Sequence, residues 1–553
     1  MRKLAAFLLI LVLTSTLTCG GTAETAEPVV DGTVRVWLQS LGAVKALGLT
    51  LDGVYTVDGD RGFRFERGTE IKLGAEDGSI ALQVGGATID MGGGFTLTRH
   101  LDDDGQAGGA YIHESEKDTL YCGDLTFGLR TDGSLRVIVT MQVEDYLYGV
   151  VPYEMSDTFP LEALKAQAVT ARTYVMQRTV QNADKDYDVS DTTDDQVFKG
   201  LDARFELPIQ AVDETRGLVG MYNGEYAECF YSASNGGQTA LATDVWGDGD
   251  YGYLTIRDDP YDLENPESLS RSATIPTDAM QMNETLYGML VQLAGEELYR
   301  RGELMEGEAV GLSEVLNVEA VNPIYGGESR QYGTIRFTLR ASVRHFTGQA
   351  TAGVQQLGEP ETLEEPLTLD LDFYDQVRGA LDIALNSSKY ELVTLEQVEG
   401  GFEITSRRYG HGVGMSQRGA QRMAGVYEMT CEEILAFYYP GLTWVTLNWE
   451  DPGLTKAHAL AESLGYVAPR PTPAPTPAPL PPLAEGESYA TVNVAGVDST
   501  LNVREGPSTE TKILGVLRNG QQMIVQGVTE DGWVKMKTAE LEGYVMQSFV
   551  TME

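Results

Sequence analysis

The run APRPTPAPTPAPLPP, residues 468 to 482, alternates proline with small residues. Each proline fixes its own φ and has no amide hydrogen to donate, so the run can enter neither a helix interior nor a central strand. It is a semi-rigid extended spacer that cannot belong to a packed core. The 553-residue chain is therefore divided into a long body and a short tail.

The tail carries ATVNVAG, LNVREGPS, ILGVLRNG, MIVQGVTEDGWVKMKT and GYVMQSFV, short strand-like runs separated by turns. That pattern predicts a small β-barrel module over 488–553, with Val503, Ile513, Leu517, Val525, Trp533 and Val545 as its core. In the body, residues 30 to 140 alternate apolar and polar positions in runs such as TVRVWLQS, SIALQVGG and SLRVIVTMQV, broken by DG and GG pairs. Period two with turn signals at that spacing predicts an all-β region. PLEALKAQAVTARTYVMQRTVQ follows with no internal Gly or Pro, and Leu161, Leu164, Ala168, Ala171 and Val175 recur at helical spacing. One face of this helix is expected to be buried, and Pro160 suits its first turn. Strand signals return near GLVGMYNGEYAECFYSAS, and a helical pattern spans about 280–301. Further strands are expected at VLNVEAV, TIRFTLRASV and GFEITS, and a second long helical segment at SQRGAQRMAGVYEMTCEEILAFYY, ending before Pro440-Gly441. The fold class is α+β.

The formal charge is −42 and the pI near 4.4. Nucleic acid and anionic membrane surfaces demand basic patches, so both are excluded as main partners. The start, MRKLAAFLLILVLTSTLTCGGTAETAEP, joins two basic residues to an apolar run and then small residues, which is an export signal. Cleavage after Ala23 is expected, giving an extracellular or wall-associated protein. Lipidation of Cys19 is the alternative, disfavoured by Thr18 before it. After such cleavage only Cys122, Cys229 and Cys431 remain, an odd and scattered set that allows one internal bridge at most. The five histidines are scattered too, so no metal site and no cofactor are expected.

The stretch GVVPYEMSDTFPLEALKAQAVTAR places Glu154 among Val150, Val151, Pro152, Tyr153 and Met155. Desolvation disfavours an ionised carboxylate, so a glutamate in this setting can stay protonated and act as a general acid. The same residue can also be read as a turn glutamate facing water.

Three segments stand together: EDYLYGVVPYEM with PLEALKAQAVTARTYV; SDTTDDQVFKG with CFYSASNGGQTALATDVWGDGDYGYL; and YGHGVGMSQRGAQRMAG with ILAFYYPGL. Across roughly 119 to 445 they resemble the stage II sporulation protein D family, also called the SpoIID/LytB family. LNVREGPS with the later GYV resembles a bacterial SH3 domain. The domain reading is a signal peptide at 1–23, a β-rich N-terminal region at 24–115, a SpoIID-like catalytic domain at 116–445, a Pro-rich linker at 446–487 and the SH3 module at 488–553.

The resemblance implies a lytic transglycosylase acting on peptidoglycan glycan strands. Such an enzyme cleaves the MurNAc–GlcNAc bond and leaves 1,6-anhydro-MurNAc ends, in sporulation or wall remodelling. The SH3 module would hold the cell wall, and other wall hydrolases are possible partners. The alternative is a non-catalytic amidase enhancer of the LytB type. The acid of the family's P-x-E-M motif falls on Glu154, its A-R-T-Y arginine on Arg172, and a tyrosine of a Y-L pair on Tyr253. Thr255 stands where the family carries lysine, which puts that corner of the site in doubt. Ser234 in the SASNGG turn, and His411 and Gln417 in the glycine-rich GHGVGMSQ loop, are further candidate substrate contacts; each can equally be part of a tight loop. An ordinary glycosidase would need a second acid; Asp157 and Glu162 are the candidates, although both suit a helix start.

Overall fold

The computed structural model describes residues 29–449, except 31, 102–107, 114–119, 203 and 352–353. It also describes Leu483 and residues 487–552, except 494–499, 509–510, 519, 530–531 and 539–540. The expected export signal, with Cys19, and the proline spacer lie outside the described residues.

The β-rich start forms two antiparallel sheets. In one, Thr33–Trp37, Leu135–Gln142, Asp124–Leu129, Gly94–His100, Val54–Val57 and Asp60–Phe65 are neighbours in that order, and Val189–Ser190 pairs in parallel with the outer strand. The other orders Leu120–Tyr121, Gly109–Ile112, Ala46–Asp52, Glu70–Glu76, Ser79–Val84 and Ala87–Asp90. Alternation puts Val34, Val36, Leu47, Leu49, Leu51, Ile71, Leu73, Leu97 and Leu125 on inner faces that share one core. Phe95 and Phe127 lie opposite each other in register and stack at 5.1 Å. Strands 120–142 complete the sheets begun before residue 101, so the expected boundary at 115/116 is not a break in packing.

Helix Leu161–Gln181 enters the same core. Leu164, Ala168, Ala171 and Val175 are buried as their spacing predicts, and Leu161 is half-buried. Burial does not stop at one face, however: every residue from Ala166 to Met176 is buried. The Ala and Thr side chains of this stretch are small enough for elements on all sides to approach. Thr170 and Thr173 satisfy their hydroxyls by donating to the Ala166 and Val169 carbonyls, at 2.6 and 2.7 Å.

Residues 270–407 build a second core. Helix Glu284–Arg301 buries Leu286, Leu290, Ala294 and Leu298 against Ile335, Phe337, Leu339 and Leu371 of long antiparallel strands. It starts at Glu284 rather than near 280 because Asn283 caps it, accepting from the Leu286 amide at 3.1 Å. The expected helix after Ser416 is two helices, Gln417–Val426 and Cys431–Tyr438. The break falls where Glu428 takes φ 53° and Thr430 forms a capping box with Glu433. The tail forms its own seven-stranded sheet and core. Val503, Leu517, Val525, Trp533 and Val545 are buried there, while the Ile513 side chain lies outside the described ones. Cys122, Cys229 and Cys431 are buried free thiols.

Inside the main core Arg172 forms a bidentate pair with Glu144, at 3.0 and 2.7 Å, and both side chains are buried. The guanidinium also donates to the carbonyls of Val212 and Leu218. Glu144 accepts the Gly217 amide at 3.0 Å. Removing one partner of such a pair leaves an uncompensated charge in a dry interior. Arg172→Met is therefore expected to cost about 3–5 kcal/mol, read as a lower urea midpoint for the main body. Replacing Glu144 by Leu in the same chain should recover much of the loss.

Candidate functional site

Glu154 ends the single helical turn Val151–Glu154, whose Met155 leaves in extended conformation. Val150, Val151 and Met155 are fully buried beneath it. The motif thus forms an apolar base, and the one polar side chain is directed into a groove of about 740 Å³. The walls come from distant segments: Thr193–Val197, Phe230–Ala233, Trp246, residues 385–388, Tyr390 and Tyr409–His411, with Tyr174, Arg178 and Gln417.

Three donors converge on the Glu154 carboxyl. The Val197 amide donates at 3.0 Å, and the side chains of Tyr231 and Gln417 also hydrogen-bond to it. The Tyr231 orientation is fixed from behind. Tyr146 donates to Gln196 Oε1 at 3.2 Å, so the Gln196 amide nitrogen donates to the Tyr231 hydroxyl, at 3.1 Å. That hydroxyl accepts from Gln196 and keeps its own hydrogen for Glu154. Burial outweighs these donors and holds the Glu154 pKa above the ordinary glutamate value.

Two paired loops make the wall. Tyr231–Ser232 runs parallel to Met415–Ser416, and Ser234 bridges Tyr409. The loops approach so closely that a Cβ on Gly414 (φ +72°) would sit 2.0 Å from the Phe230 carbonyl oxygen. Beneath them lie Asp259 and Asp262. Asp262 accepts from Ser234, Ser416 and Ser268, at 2.9, 3.1 and 2.8 Å. Asp259 accepts from Asn235 and Tyr438, each at 2.7 Å, and burial raises it to about 6.

The structure brings together Glu154, His411 and Gln417 among the expected residues. His411 is neutral: the Val413 amide donates to its Nδ1 at 3.0 Å, and burial pushes its pKa down to about 4. Three expected substrate contacts stand elsewhere. Arg172 is consumed by Glu144 in the core. Tyr253 is buried, with its hydroxyl between the amide and carbonyl of Glu228, at 2.7 and 3.2 Å. Ser234 is buried under the wall on Asp262. Thr255 is exposed and does not line the groove. Asp157 and Glu162 lie outside it too; Glu162 pairs with Lys165 at 2.8 Å and accepts the Cys431 amide.

Not singled out in the sequence were Gln196, Val197 and Tyr231, which hold the carboxyl, nor Trp246, Arg178 and the 385–390 loop. SDTTDDQVFKG and CFYSAS contain the first three, but only the folded chain sets them against Glu154.

Residues 131–222 match the family model of stage II sporulation protein, and residues 499–551 that of the bacterial SH3 domain. An uncharacterized protein of Brachyspira hyodysenteriae is 30% identical over 331 residues, covering 59% of this chain and 73% of that protein. Stage II sporulation protein D of Bacillus subtilis is 26% identical, over 55% of this chain and 74% of its own length. The amidase enhancer of Bacillus subtilis is 29% identical over 54% of this chain, which spans 40% of that longer protein. With its P-x-E-M glutamate at the floor of a groove built from the three motif segments, the chain belongs to the stage II sporulation protein D family and carries a bacterial SH3 domain behind it.

Proposed function

We propose that the protein is a peptidoglycan lytic transglycosylase with Glu154 as both acid and base. The observation that carries this reading is a carboxyl with a raised pKa, held by three donors, in an open groove. Protonated Glu154 gives its proton to the glycosidic oxygen between MurNAc and GlcNAc, and the C1–O bond breaks with the electron pair going to that oxygen. The resulting carboxylate then accepts the proton of the MurNAc C6 hydroxyl as its oxygen attacks C1. This closes the 1,6-anhydro ring and regenerates the acid. Water is not a reactant, so a second carboxylate is unnecessary. Of the two other acids that line the groove, Asp194 and Asp195, the latter has Tyr174 on one oxygen at 3.1 Å and Ser190 on the other at 2.8 and 3.0 Å.

Glu154→Gln keeps shape and hydrogen bonding but removes the proton. Release of muropeptides should fall by about 10² or more, with glycan binding intact. Wild-type products should be anhydro-ended and carry no oxygen from labelled water, read by mass spectrometry. Because the acid form is required at the first step, activity should decline as pH rises through the raised pKa, above the ordinary value of about 4.3. The stability sign runs with it. A raised folded pKa gives stability at acid pH that is lost as pH rises from the ordinary glutamate value through the raised one. Glu154→Gln should therefore melt no lower than wild type at neutral pH. Unchanged release by this variant would move the assignment to the second reading, an amidase enhancer that grips glycan without cutting it. The 29% identity to the Bacillus subtilis amidase enhancer favours that alternative.

On the same reading the protein is exported and works in the wall, with the SH3 module retaining it there. The module's separate core supports this division of labour. Truncation before Pro469 should weaken retention on sacculi in a pull-down while leaving cleavage of soluble glycan largely intact.

A further inference from the structure

The groove is lined by two kinds of group: hydrogen-bonding side chains such as Tyr231 and Gln417, which engage Glu154, and aromatic ones, Phe230 and Trp246 among them. Trp246 is 47% exposed there, while Trp533 in the tail core is 7% exposed. The indole is not loose. It ends the short helix Ala242–Trp246, which Gly247 stops at φ +88°, and it stacks on Phe230 with centroids 4.4 Å apart at 31°. His411 packs against it at 4.9 Å, and its neutrality leaves this end of the groove without an imidazolium charge. Tyr251 backs Phe230 at 6.0 Å.

A rigid, half-exposed aromatic face suits a ligand that is apolar on one side and polar at its edge. A pyranose ring has that form: C–H bonds cover its face, and hydroxyl and acetamido groups surround the rim. Asn386, Ser387 and Ser388 line the same groove and offer polar partners for such a rim. The platform is tied to the proton donor through the backbone, because Phe230 is followed directly by Tyr231, which hydrogen-bonds to Glu154. We propose that Trp246, backed by Phe230 and His411, is a sugar-stacking subsite that receives a hexosamine ring of the strand beside the bond at Glu154. This rests on the glycan-cleaving reading and adds the residue that grips the neighbouring sugar.

The test uses the full chain carrying Glu154→Gln, so that nothing turns over, titrated with chitotetraose and with peptide-free glycan strands by calorimetry and tryptophan fluorescence. Trp246→Ala should weaken binding about five- to tenfold, the scale of one lost stacking contact. Trp246→Phe should stay within about threefold of the parent, which separates loss of stacking from loss of fold. With Glu154 intact, Trp246→Ala should raise KM by a similar factor while kcat holds, the mark of binding shared by ground and transition states. If Trp246→Ala binds as tightly as its parent, the platform is overturned while glycan recognition stands. If the parent binds neither probe, the glycan reading fails and the subsite fails with it.

Discussion

The buried pair of Arg172 and Glu144 ties together the elements that place the groove. Glu144 lies on helix Val143–Tyr148, which leads directly into the turn that ends at Glu154. Arg172 lies in the middle of the central helix and also reaches the carbonyls of Val212 and Leu218, so one guanidinium joins four segments. A desolvated ion pair stabilises little compared with apolar residues of the same shape, yet its geometry is demanding. Bidentate contact admits one orientation of helix 143–148 against the central helix, and the Glu154 position follows from it. The arginine expected at the substrate therefore acts one layer further in, through position rather than contact.

That difference shows what could be read in the sequence and what could not. Alternation and turn pairs gave the strands of residues 30–140, because burial on one face leaves a period-two trace. Helix 161–181 was legible as a helix, but its burial all round was not: small Ala and Thr residues fit a crowded interior without raising hydrophobicity. Glu154 was legible because its neighbours are uniformly apolar. Gln196, Val197 and Tyr231 were not, since their meaning lies in a convergence of segments distant in the chain, as in the Val197 amide on Glu154, 43 residues away, and Gln196 on Tyr231, 35 residues away. Tyr253 and Ser234 were misplaced for a related reason. A motif position says that a residue matters to the local fold, and here both matter by fixing loops: Tyr253 on Glu228, Ser234 on Asp262.

Glu154 sits in a balance between opposed effects. Full desolvation would hold it permanently protonated; in the mechanism we propose it would then donate once and be unable to act as the base that follows. Three donors to the carboxylate form pull the other way and keep the ionised state within reach. The Tyr231 hydroxyl gives this balance its rigidity, because Gln196 and Tyr146 behind it leave the hydrogen one direction to point. In the proposed mechanism, reorganisation at the moment of proton transfer is then small, which is the condition under which fixed dipoles help most.

The opposite wall is held by different means. Asn386 accepts the Gly410 amide and donates to the Arg408 carbonyl, both at 2.9 Å, clasping the loop of the second core to the glycine-rich loop. Arg408 itself is buried in the left-handed region, at φ 77°, and donates to the carbonyls of Asn235, Gln238 and Tyr390 and to Gln331. Burial among these neutral acceptors pushes its pKa down to about 10, so it stays charged at neutral pH. These carbonyl acceptors do not titrate, so Arg408 keeps the same partners whether Glu154 is protonated or not. Ser387 and Ser388 stand exposed on the clasped loop, directly after its anchor at Asn386. On the proposed function, substitutions at these two serines should alter which sugar substituents fit while leaving Glu154 in place. On that same proposal, the groove joins an acid carried by the main body to a loop carried by the second core.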